Sequence, residues 1–504
     1  MKGFRQGLDS TENMGKSIAV FGTGSDVGKS IITTALCRFL FEKKIDVAPF
    51  KAQNMSNNSG VTPEGLEIGR AQIVQAEASG IPPHVDMNPI LLKPTSEVGA
   101  QVVLLGKPLE NHTAVEYHEK KKSFFSCASA ALDRLRSVHE IVVMEGAGSC
   151  AEVNLMQQDI VNFQMAEYAD APVILVADIH RGGVFAQIVG TLACMSAQEK
   201  ERIRGVIINR FRGDLSLFDE GIRWLEKKTG KTIFGVLPWF HHIRIEEEDS
   251  VVIEKTDTPP AVSGDTLMIA VIRLPHISNF TDFHPLSDIN GISLHFIDKP
   301  MDLSVFGAVV LPGSKNTRSD LHWLQKTGWA EKVIEHASKG GYILGICGGY
   351  QMLGLMIHDP DGLEDSSGSS HGLGLLPVET TLSAPKTTTL TSFSWDDQAG
   401  TGYEIHMGQT IRGDAKPLFQ VHSQNQTLCS HEEGCINKDS RIMGTYIHGL
   451  FDMPAITRKW LETIGHGHIH VDKTGGLAAR EREYEELSKH FQKYINTELI
   501  LDLL

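Results

Sequence analysis

The sequence predicts an α/β protein with two doubly wound domains, each built on a parallel sheet. Short, continuously apolar segments alternate with helix-length segments, a pattern typical of parallel strands that are covered on both faces. This alternation occurs in two series, and a polar stretch containing proline and glycine separates them. The length of 504 residues also exceeds what one hydrophobic core usually holds.

The order of these segments gives the expected domain organisation. Buried strands of the first series are predicted at residues 17–22, 141–148, 171–179 and 205–210, and those of the second at 267–275, 306–314 and 340–349. The segment EKTDTPPAVSGD between them is typical of a linker. We therefore expect a first domain over 15–253, a linker over 254–265, a second domain over 266–460 and a C-terminal helical tail over 461–504.

Composition and charge exclude several classes of partner. A formal net charge of −15 argues against binding to nucleic acid or to an anionic membrane surface, both of which require clustered lysine and arginine. The seven cysteines show no C-x-x-C pairs, so neither a disulfide framework nor a structural metal site is indicated. No secretory signal and no run of about 18 apolar residues is found, so a cytoplasmic protein is expected.

The first motif, GTGSDVGKS at residues 22–30, joins a predicted strand to a predicted helix. Gly24 and Gly28 allow backbone N–H groups to curve around phosphates, Lys29 supplies a positive charge and Ser30 can bind magnesium. Thr23 stands where the common phosphate-loop pattern has glycine, so the loop is a spaced variant. This variant resembles the phosphate loop of dethiobiotin synthetase and its relatives, which implies use of ATP. The alternative is a surface turn that contains Gly-Lys-Ser by chance.

Polar residues that follow other predicted strands are candidates for the same site. Glu145, the acid that ends an apolar run, is the candidate Mg2+ ligand, unless it merely ends its strand at the surface. Asn209 resembles the residue that reads adenine in that group, although asparagine at a strand end is also a common turn former. Lys51, Lys93 and Arg181 are candidates for binding substrate carboxylates or phosphates, and Lys51 and Arg181 are favoured because small neighbours let a ligand approach. For any single one of them, an ordinary surface charge is the commoner alternative.

The second motif, GGYILGICGGYQMLGL at residues 340–355, predicts a nucleophile at a strand-to-helix turn. Such a turn exposes Cys347, and the helix N-terminus favours its thiolate while Gly348 can donate a backbone N–H to an oxyanion. His448 follows a later apolar strand and is the candidate base. The motif resembles the elbow of class I glutamine amidotransferases, which have a flavodoxin-like fold, and LPGS resembles the loop whose Gly313 completes the oxyanion hole.

One departure from that family leaves the third member of the triad unassigned. Many class I members have H-P-E, in which the glutamate orients the histidine, whereas Leu450 stands at the glutamate position here. Glu404 and Asp452 are weak candidates for the missing acid. A cysteine–histidine pair without an acid is the alternative.

The two motifs together point to one enzyme family. Segments such as PFKAQNMSNNSG, NPILLKP, RLPHISNFTDF and GTYIHGLF make the chain similar to the cobyric acid synthases over roughly residues 17–451. The resemblance implies ATP and Mg2+, with glutamine and a corrinoid a,c-diamide as substrates. It also implies amidation of the b, d, e and g carboxylates of adenosylcobyrinic acid a,c-diamide, which gives adenosylcobyric acid. No oligomeric state follows.

Two other functions are compatible with parts of the sequence. Cobyrinic acid a,c-diamide synthase shares both modules, but PFKAQNMSNNSG and NPILLKP favour the enzyme that forms four amides. A nucleotide-dependent scaffold or partitioning protein with a decayed glutaminase is the alternative outside this class. The presence of Cys347, His448 and the glycines around the cysteine argues against decay.

Overall fold

The fold was described from a computed structural model, which covers residues 14–94, 99–113, 121–156, 159–240, 266–364 and 366–504. The predicted linker at 254–265 lies outside these residues, and the predicted domain limits stay predictions.

In the first half of the chain the strands are β1 Lys16–Gly22, β2 Val47–Phe50, β3 Gln53–Met55, β4 Ser59–Val61, β5 Glu67–Gly69, β6 Ile90–Pro94, β7 Gly99–Leu104, β8 Lys107–Thr113, β9 Ile141–Glu145, β10 Val173–Asp178, β11 Ile203–Phe211 and β12 Thr232–Pro238. The α-helices are Lys29–Glu42, Arg70–Ala78, Lys121–Arg136, Phe163–Tyr168, Val184–Cys194, Ala197–Arg202 and Asp219–Thr229.

The first domain is built on a six-stranded parallel sheet in the order β12-β11-β10-β1-β9-β2. β1, β9 and β10 are almost continuously apolar and buried, because helices cover both faces of the sheet. Since all six strands are parallel, their carboxyl ends meet at one edge. The phosphate loop after β1 and Glu145 at the end of β9 both lie there.

In the second half the strands are β13 Leu267–Ile272, β14 Ile277–Ser278, β15 Ile292–Ile297, β16 Ala308–Leu311, β17 Gly313–Ser314, β18 Tyr342–Ile346, β19 Met356–Asp359, β20 Gly368–His371, β21 Val378–Trp395, β22 Gln398–Arg412, β23 Phe419–Gln424, β24 Thr427–Glu433, β25 Cys435–Ile436 and β26 Ile442–Thr445. The α-helices are His284–Ser287, Thr317–Thr327, Trp329–Ser338, Gly348–Leu353, Pro454–Thr463, Leu477–Tyr494 and Thr497–Leu501. Short 3-10 turns span Phe280–Phe283 and Leu450–Asp452.

The second domain has its own central sheet, in the order β15-β13-β16-β18-β26-β25. All pairs are parallel except β25 with β26. A further sheet, ordered β20-β19-β21-β23-β24, contains the long hairpin of β21 and β22. The sequence did not predict this hairpin, because its strands are only half buried and their pattern of apolar residues is weak.

The C-terminal helix Leu477–Tyr494 returns to the first domain. Its side chains Tyr484, Leu487 and Phe491 are buried in the same hydrophobic cluster as β1 and the helix that follows the phosphate loop. The ring of Phe491 lies 6.4 Å from that of Phe39. The predicted tail is therefore packed against the first domain and closes the face of the sheet that carries the loop helix. Among the described residues, no helix is long and apolar enough to cross a membrane.

This packing predicts a stability effect. We expect Phe491→Ala to destabilise the first domain by about 3–5 kcal/mol, because a fully buried ring is replaced by a cavity. Lys489→Ala is the matched control on the same helix, since Lys489 makes only an exposed ion pair with Glu486. Apparent midpoints of thermal unfolding measure both effects. Equal shifts in the two variants would contradict the packing described here.

Candidate functional site

The phosphate loop folds tightly around the side chain of Lys29. The ammonium group donates hydrogen bonds to the carbonyl oxygens of Gly24 and Gly148, both at 2.9 Å. Gly28 has a φ of 91°, a left-handed conformation that favours glycine, and a Cβ there would lie 2.1 Å from the Nδ2 atom of Asn209. The loop thus places a lysine and a helix N-terminus together, the arrangement that binds phosphate.

Glu145 is the buried acid at the centre of this site. The Ser30 hydroxyl and the Lys51 ammonium both donate to its Oε1 atom at 2.8 Å, and the Gln75 amide donates to Oε2. Burial raises the pKa of Glu145, but Lys51 and these hydrogen bonds outweigh burial and hold the pKa below its ordinary value. An ionised carboxylate beside a hydroxyl is an oxygen donor set of the kind that Mg2+ prefers, so Ser30 and Glu145 fit the predicted metal site.

Asn209 lies against the phosphate loop. Its Nδ2 atom donates to the carbonyl of Val27 at 2.9 Å, and its Oδ1 atom accepts from the backbone N–H of Arg210. The structure therefore places Asn209 beside the phosphate loop and shows what fixes its orientation. Next to it, the guanidinium of Arg212 lies 4.3 Å from the ring centre of Trp239, an aromatic group that the sequence analysis did not single out.

The three candidate substrate residues occupy different environments. Lys51 shares Glu145 with Ser30, as described above. Arg181 is exposed in the loop after β10, at the same edge of the sheet. Lys93 is buried, and its ammonium donates to Glu67 at 2.7 Å and to Ser59 at 2.8 Å. The structure thus brings Lys51 to the Glu145 site, while Lys93 belongs to a separate cluster.

That cluster lies where the two domains meet. Lys386 of the second domain binds Glu67 of the first at 2.6 Å. Burial raises the pKa of Glu67, but Lys386 and Lys93 outweigh it and hold the pKa well below its ordinary value. Burial lowers the pKa of Lys386 to about 7, despite the opposite effect of Glu67. A carboxylate taken out of water is thus neutralised by one lysine from each domain.

The second site is built at the end of β18. Cys347 has a φ of 53°, a strained conformation for a residue with a side chain, and its backbone N–H is held by the carbonyl of Thr445 at 2.8 Å. The helix Gly348–Leu353 begins directly after it. A Cβ on Gly348 would lie 2.8 Å from the backbone nitrogen of Ser314, and one on Gly313 would lie 3.4 Å from the ring of His448. The predicted residues Cys347, Gly348, Gly313 and His448 therefore come together, as a nucleophile elbow requires.

The acid that orients His448 is Asp282. Its Oδ2 atom lies 2.6 Å from the Nδ1 atom of His448, and its Oδ1 atom accepts from the backbone N–H of Gly449 and from the Tyr403 hydroxyl. The ring of Tyr403 also stacks on His448, at 5.1 Å between centres. Burial lowers the pKa of His448, but Asp282 outweighs burial, and together with contact to Cys347 it raises the pKa to about 10. The imidazole of His448 can therefore hold a proton beside the sulfur of Cys347 at neutral pH.

Sequence reasoning missed this residue and left Glu404 and Asp452 as weak candidates. Glu404 instead accepts hydrogen bonds from Thr391 and Gln424, and Asp452 pairs with Arg480 at 3.0 Å. Asp282 precedes His448 by 166 residues and lies in a short 3-10 turn, so spacing gives no signal for it. The available signal was the polar segment HISNFTDF, which directly follows a buried strand of the second domain.

These two sites define a class of enzyme. An ATP-type phosphate loop with a buried acid and a cysteine–histidine–aspartate arrangement at an elbow indicate a glutamine-dependent ligase that forms amides. Residues 18–252 match the family model described as CobQ/CobB/MinD/ParA nucleotide binding domain, and residues 268–456 match the CobB/CobQ-like glutamine amidotransferase domain.

Curated relatives identify the family within this class. The chain is 49% identical to the cobyric acid synthase of Chlorobium phaeobacteroides (strain BS1), over 97% of this chain and 99% of the relative. It is 48% identical to the cobyric acid synthase of Chlorobaculum tepidum, over 96% of each chain. The chain belongs to the cobyric acid synthase family. The predicted fold class, family, enzyme class and use of ATP are confirmed, whereas the roles of the individual site residues stay predictions.

The contact between Asp282 and His448 predicts the effect of removing the carboxylate. We expect Asp282→Asn to lower the rate of glutamine hydrolysis at least about a hundredfold, because the imidazole loses the group that orients it and stabilises its charge. Asp452→Asn is the control, since Asp452 follows His448 closely but binds Arg480. Glutamate release from glutamine measures both variants. A larger loss in Asp452→Asn would show that the acid has been assigned wrongly.

The raised pKa of His448 also predicts how stability depends on pH. The folded pKa of about 10 lies above the ordinary 6.5, so the stabilisation is complete below pH 6.5 and is lost as the pH rises through 10. The difference in unfolding midpoint between the native protein and Asp282→Asn should therefore be constant from about pH 5 to 6.5 and shrink from there to about pH 10. Thermal unfolding over this range provides the measurement, and a difference that grows with pH would exclude this linkage.

Proposed function

We propose that this chain amidates the b, d, e and g carboxylates of adenosylcobyrinic acid a,c-diamide with nitrogen from glutamine, at the expense of ATP. The observation that carries the proposal is the presence, in one chain, of a site for each half-reaction. Lys29, Ser30 and Glu145 lie together in the first domain, and Cys347, His448 and Asp282 lie together in the second. Nearly full-length similarity to cobyric acid synthases supports the choice of substrate.

The glutaminase half-reaction releases ammonia. The thiolate of Cys347 attacks the carboxamide carbon of glutamine, and the backbone N–H groups near Gly313 and Gly348 stabilise the oxyanion. His448 gives its proton to the leaving nitrogen, so that ammonia departs and a glutamyl thioester remains on Cys347. His448 then takes a proton from water, which attacks the thioester and releases glutamate. Asp282 holds the imidazole in the required orientation throughout.

The synthetase half-reaction activates the acceptor. A substrate carboxylate attacks the γ-phosphorus of ATP, giving an acyl phosphate and ADP. Ammonia attacks the acyl carbon, phosphate leaves and the amide forms with loss of a proton. Lys29 neutralises charge on the phosphates, while Ser30 and Glu145 would bind Mg2+, which supplies further neutralisation of phosphate charge. Lys51 and Arg181 are the candidates for holding the anionic substrate near this edge.

Two variants, each affecting one site, test the proposed function. We expect Cys347→Ser to abolish amidation with glutamine but to retain amidation with ammonium salts, since only the nucleophile is lost. Glu145→Gln is the matched variant, and it should lose amidation with both nitrogen sources while it still hydrolyses glutamine. Mass spectrometry of the corrinoid a,c-diamide, incubated with ATP and magnesium, should show four successive amidations in the native protein. Absence of any mass change with either nitrogen source would rule out the proposed substrate.

A further inference from the structure

The turn that carries Asp282 is hydrogen-bonded to the other domain. The backbone N–H of Ser59 donates to Oδ1 of Asn279 at 2.9 Å, and the backbone N–H of Phe280 donates to Oδ1 of Asn58 at 3.2 Å. We call this reciprocal pair of hydrogen bonds the clasp. All four residues are buried, with at most 3% of their surface exposed. Each asparagine thus uses its side chain to bind the backbone of the opposite domain.

The clasp lies on the backbone that forms the glutaminase site. Asn279 has a φ of 51° and a ψ of 39°, a left-handed conformation that directs the chain into the turn containing Asp282. Directly before Asn279 in the chain, strand β14 pairs with β17, which contains Gly313. One buried turn therefore connects the acid that orients His448 with the strand that contributes to the oxyanion hole. A displacement of this turn would affect both.

The first-domain side of the clasp is rigidly held. The Ser59 hydroxyl donates to Glu67 at 2.8 Å and accepts from Lys93 at 2.8 Å. Lys386, from β21 of the second domain, binds the other oxygen of the same Glu67. The side chain of Ser59 is thus anchored by Glu67 and Lys93, and Glu67 is in turn held by Lys386, so the backbone N–H of Ser59 presents a fixed donor to Asn279.

We propose that Asn58 and Asn279 are positioning residues of the glutaminase, supplied from opposite sides of the domain interface. They hold the turn at Asn279–Phe283 so that Asp282 meets Nδ1 of His448 and β17 keeps its place beside Cys347. The glutaminase site is complete only when the first domain is docked on it. This inference rests on the proposed function, because it concerns the hydrolysis of glutamine at Cys347.

Substitutions at Asn279 separate the hydrogen bond from the backbone conformation. Asn279→Gly keeps the left-handed conformation but loses the acceptor, so kcat for glutamine hydrolysis should fall about tenfold. Asn279→Asp keeps the conformation and the acceptor but adds a buried charge, so its rate should lie between that of Asn279→Gly and that of the native protein. Asn58→Ala removes the other half of the clasp at a residue without backbone strain and should reproduce the loss. Amidation supported by ammonium salts should be unchanged in all three.

The pH profile distinguishes a positioning role from general destabilisation. A displaced Asp282 raises the pKa of His448 less, so the pH dependence of kcat/KM should move in Asn279→Gly and in Asn58→Ala, neither of which adds a charge. Asn425→Gly is the matched control, because Asn425 is also left-handed and also accepts from a backbone N–H, that of Leu390 in β21, and not from the turn that contains Asp282. It should leave both the rate and the profile unchanged.

The outcomes are distinct. Native glutamine hydrolysis in both Asn279→Gly and Asn58→Ala overturns the inference, as does a loss that ammonium-supported amidation shares equally. If Asn279→Gly does not fold, Asn58→Ala alone decides. A failure of the proposed function would be seen in a different variant: Cys347→Ser would then still amidate with glutamine at the normal rate. If Cys347→Ser cannot use glutamine while Asn279→Gly and Asn58→Ala hydrolyse glutamine at the native rate, the proposed function holds and only the inference about the clasp is wrong.

Discussion

Buried carboxylates must be paired with positive charge, and both active sites depend on this constraint. Glu145 is neutralised by Lys51, Asp282 by His448, and Glu67 by Lys93 and Lys386. Each partner reaches its carboxylate from a different segment of the chain. The pairs therefore fix the relative positions of these segments and, for Glu67, of the two domains.

Two separate groups of contacts hold the interface between the two domains. On one side, the cluster around Glu67 and the clasp hold the glutaminase turn against the first domain. On the other side, Arg480 of the C-terminal helix binds both Glu77 of the first domain and Asp452, which lies shortly after His448. The chain thus begins in one domain, builds the second and returns to the first. The second domain and the C-terminal helix are thereby tied to the first domain at two separate places.

Local patterns were enough to predict the two motifs, and long-range pairings were not. The loop at residues 22–30 and the elbow at Cys347 each consist of a few consecutive residues, because in both a strand, a glycine turn and a helix follow one another directly. The acid of the triad could not be found in this way, because Asp282 and His448 meet only after the second sheet has formed. Lys93 shows the same limit. Lys93 binds Glu67, and Glu67 also binds Lys386, which lies 319 residues beyond Glu67 in the chain.

The origin of the acid has a consequence for how the enzyme works. A carboxylate that orients a catalytic imidazole at Nδ1 need not come from the strand that carries the histidine, because geometry and not sequence position defines a triad. In the H-P-E pattern the glutamate stands two residues after the histidine. Here it lies on a turn in which the backbone N–H of Phe280 donates to Asn58 and the side chain of Asn279 accepts from the backbone N–H of Ser59, both in the first domain. If the clasp positions Asp282 as we propose, release of ammonia at Cys347 depends on contact between the two domains, and not on the second domain alone.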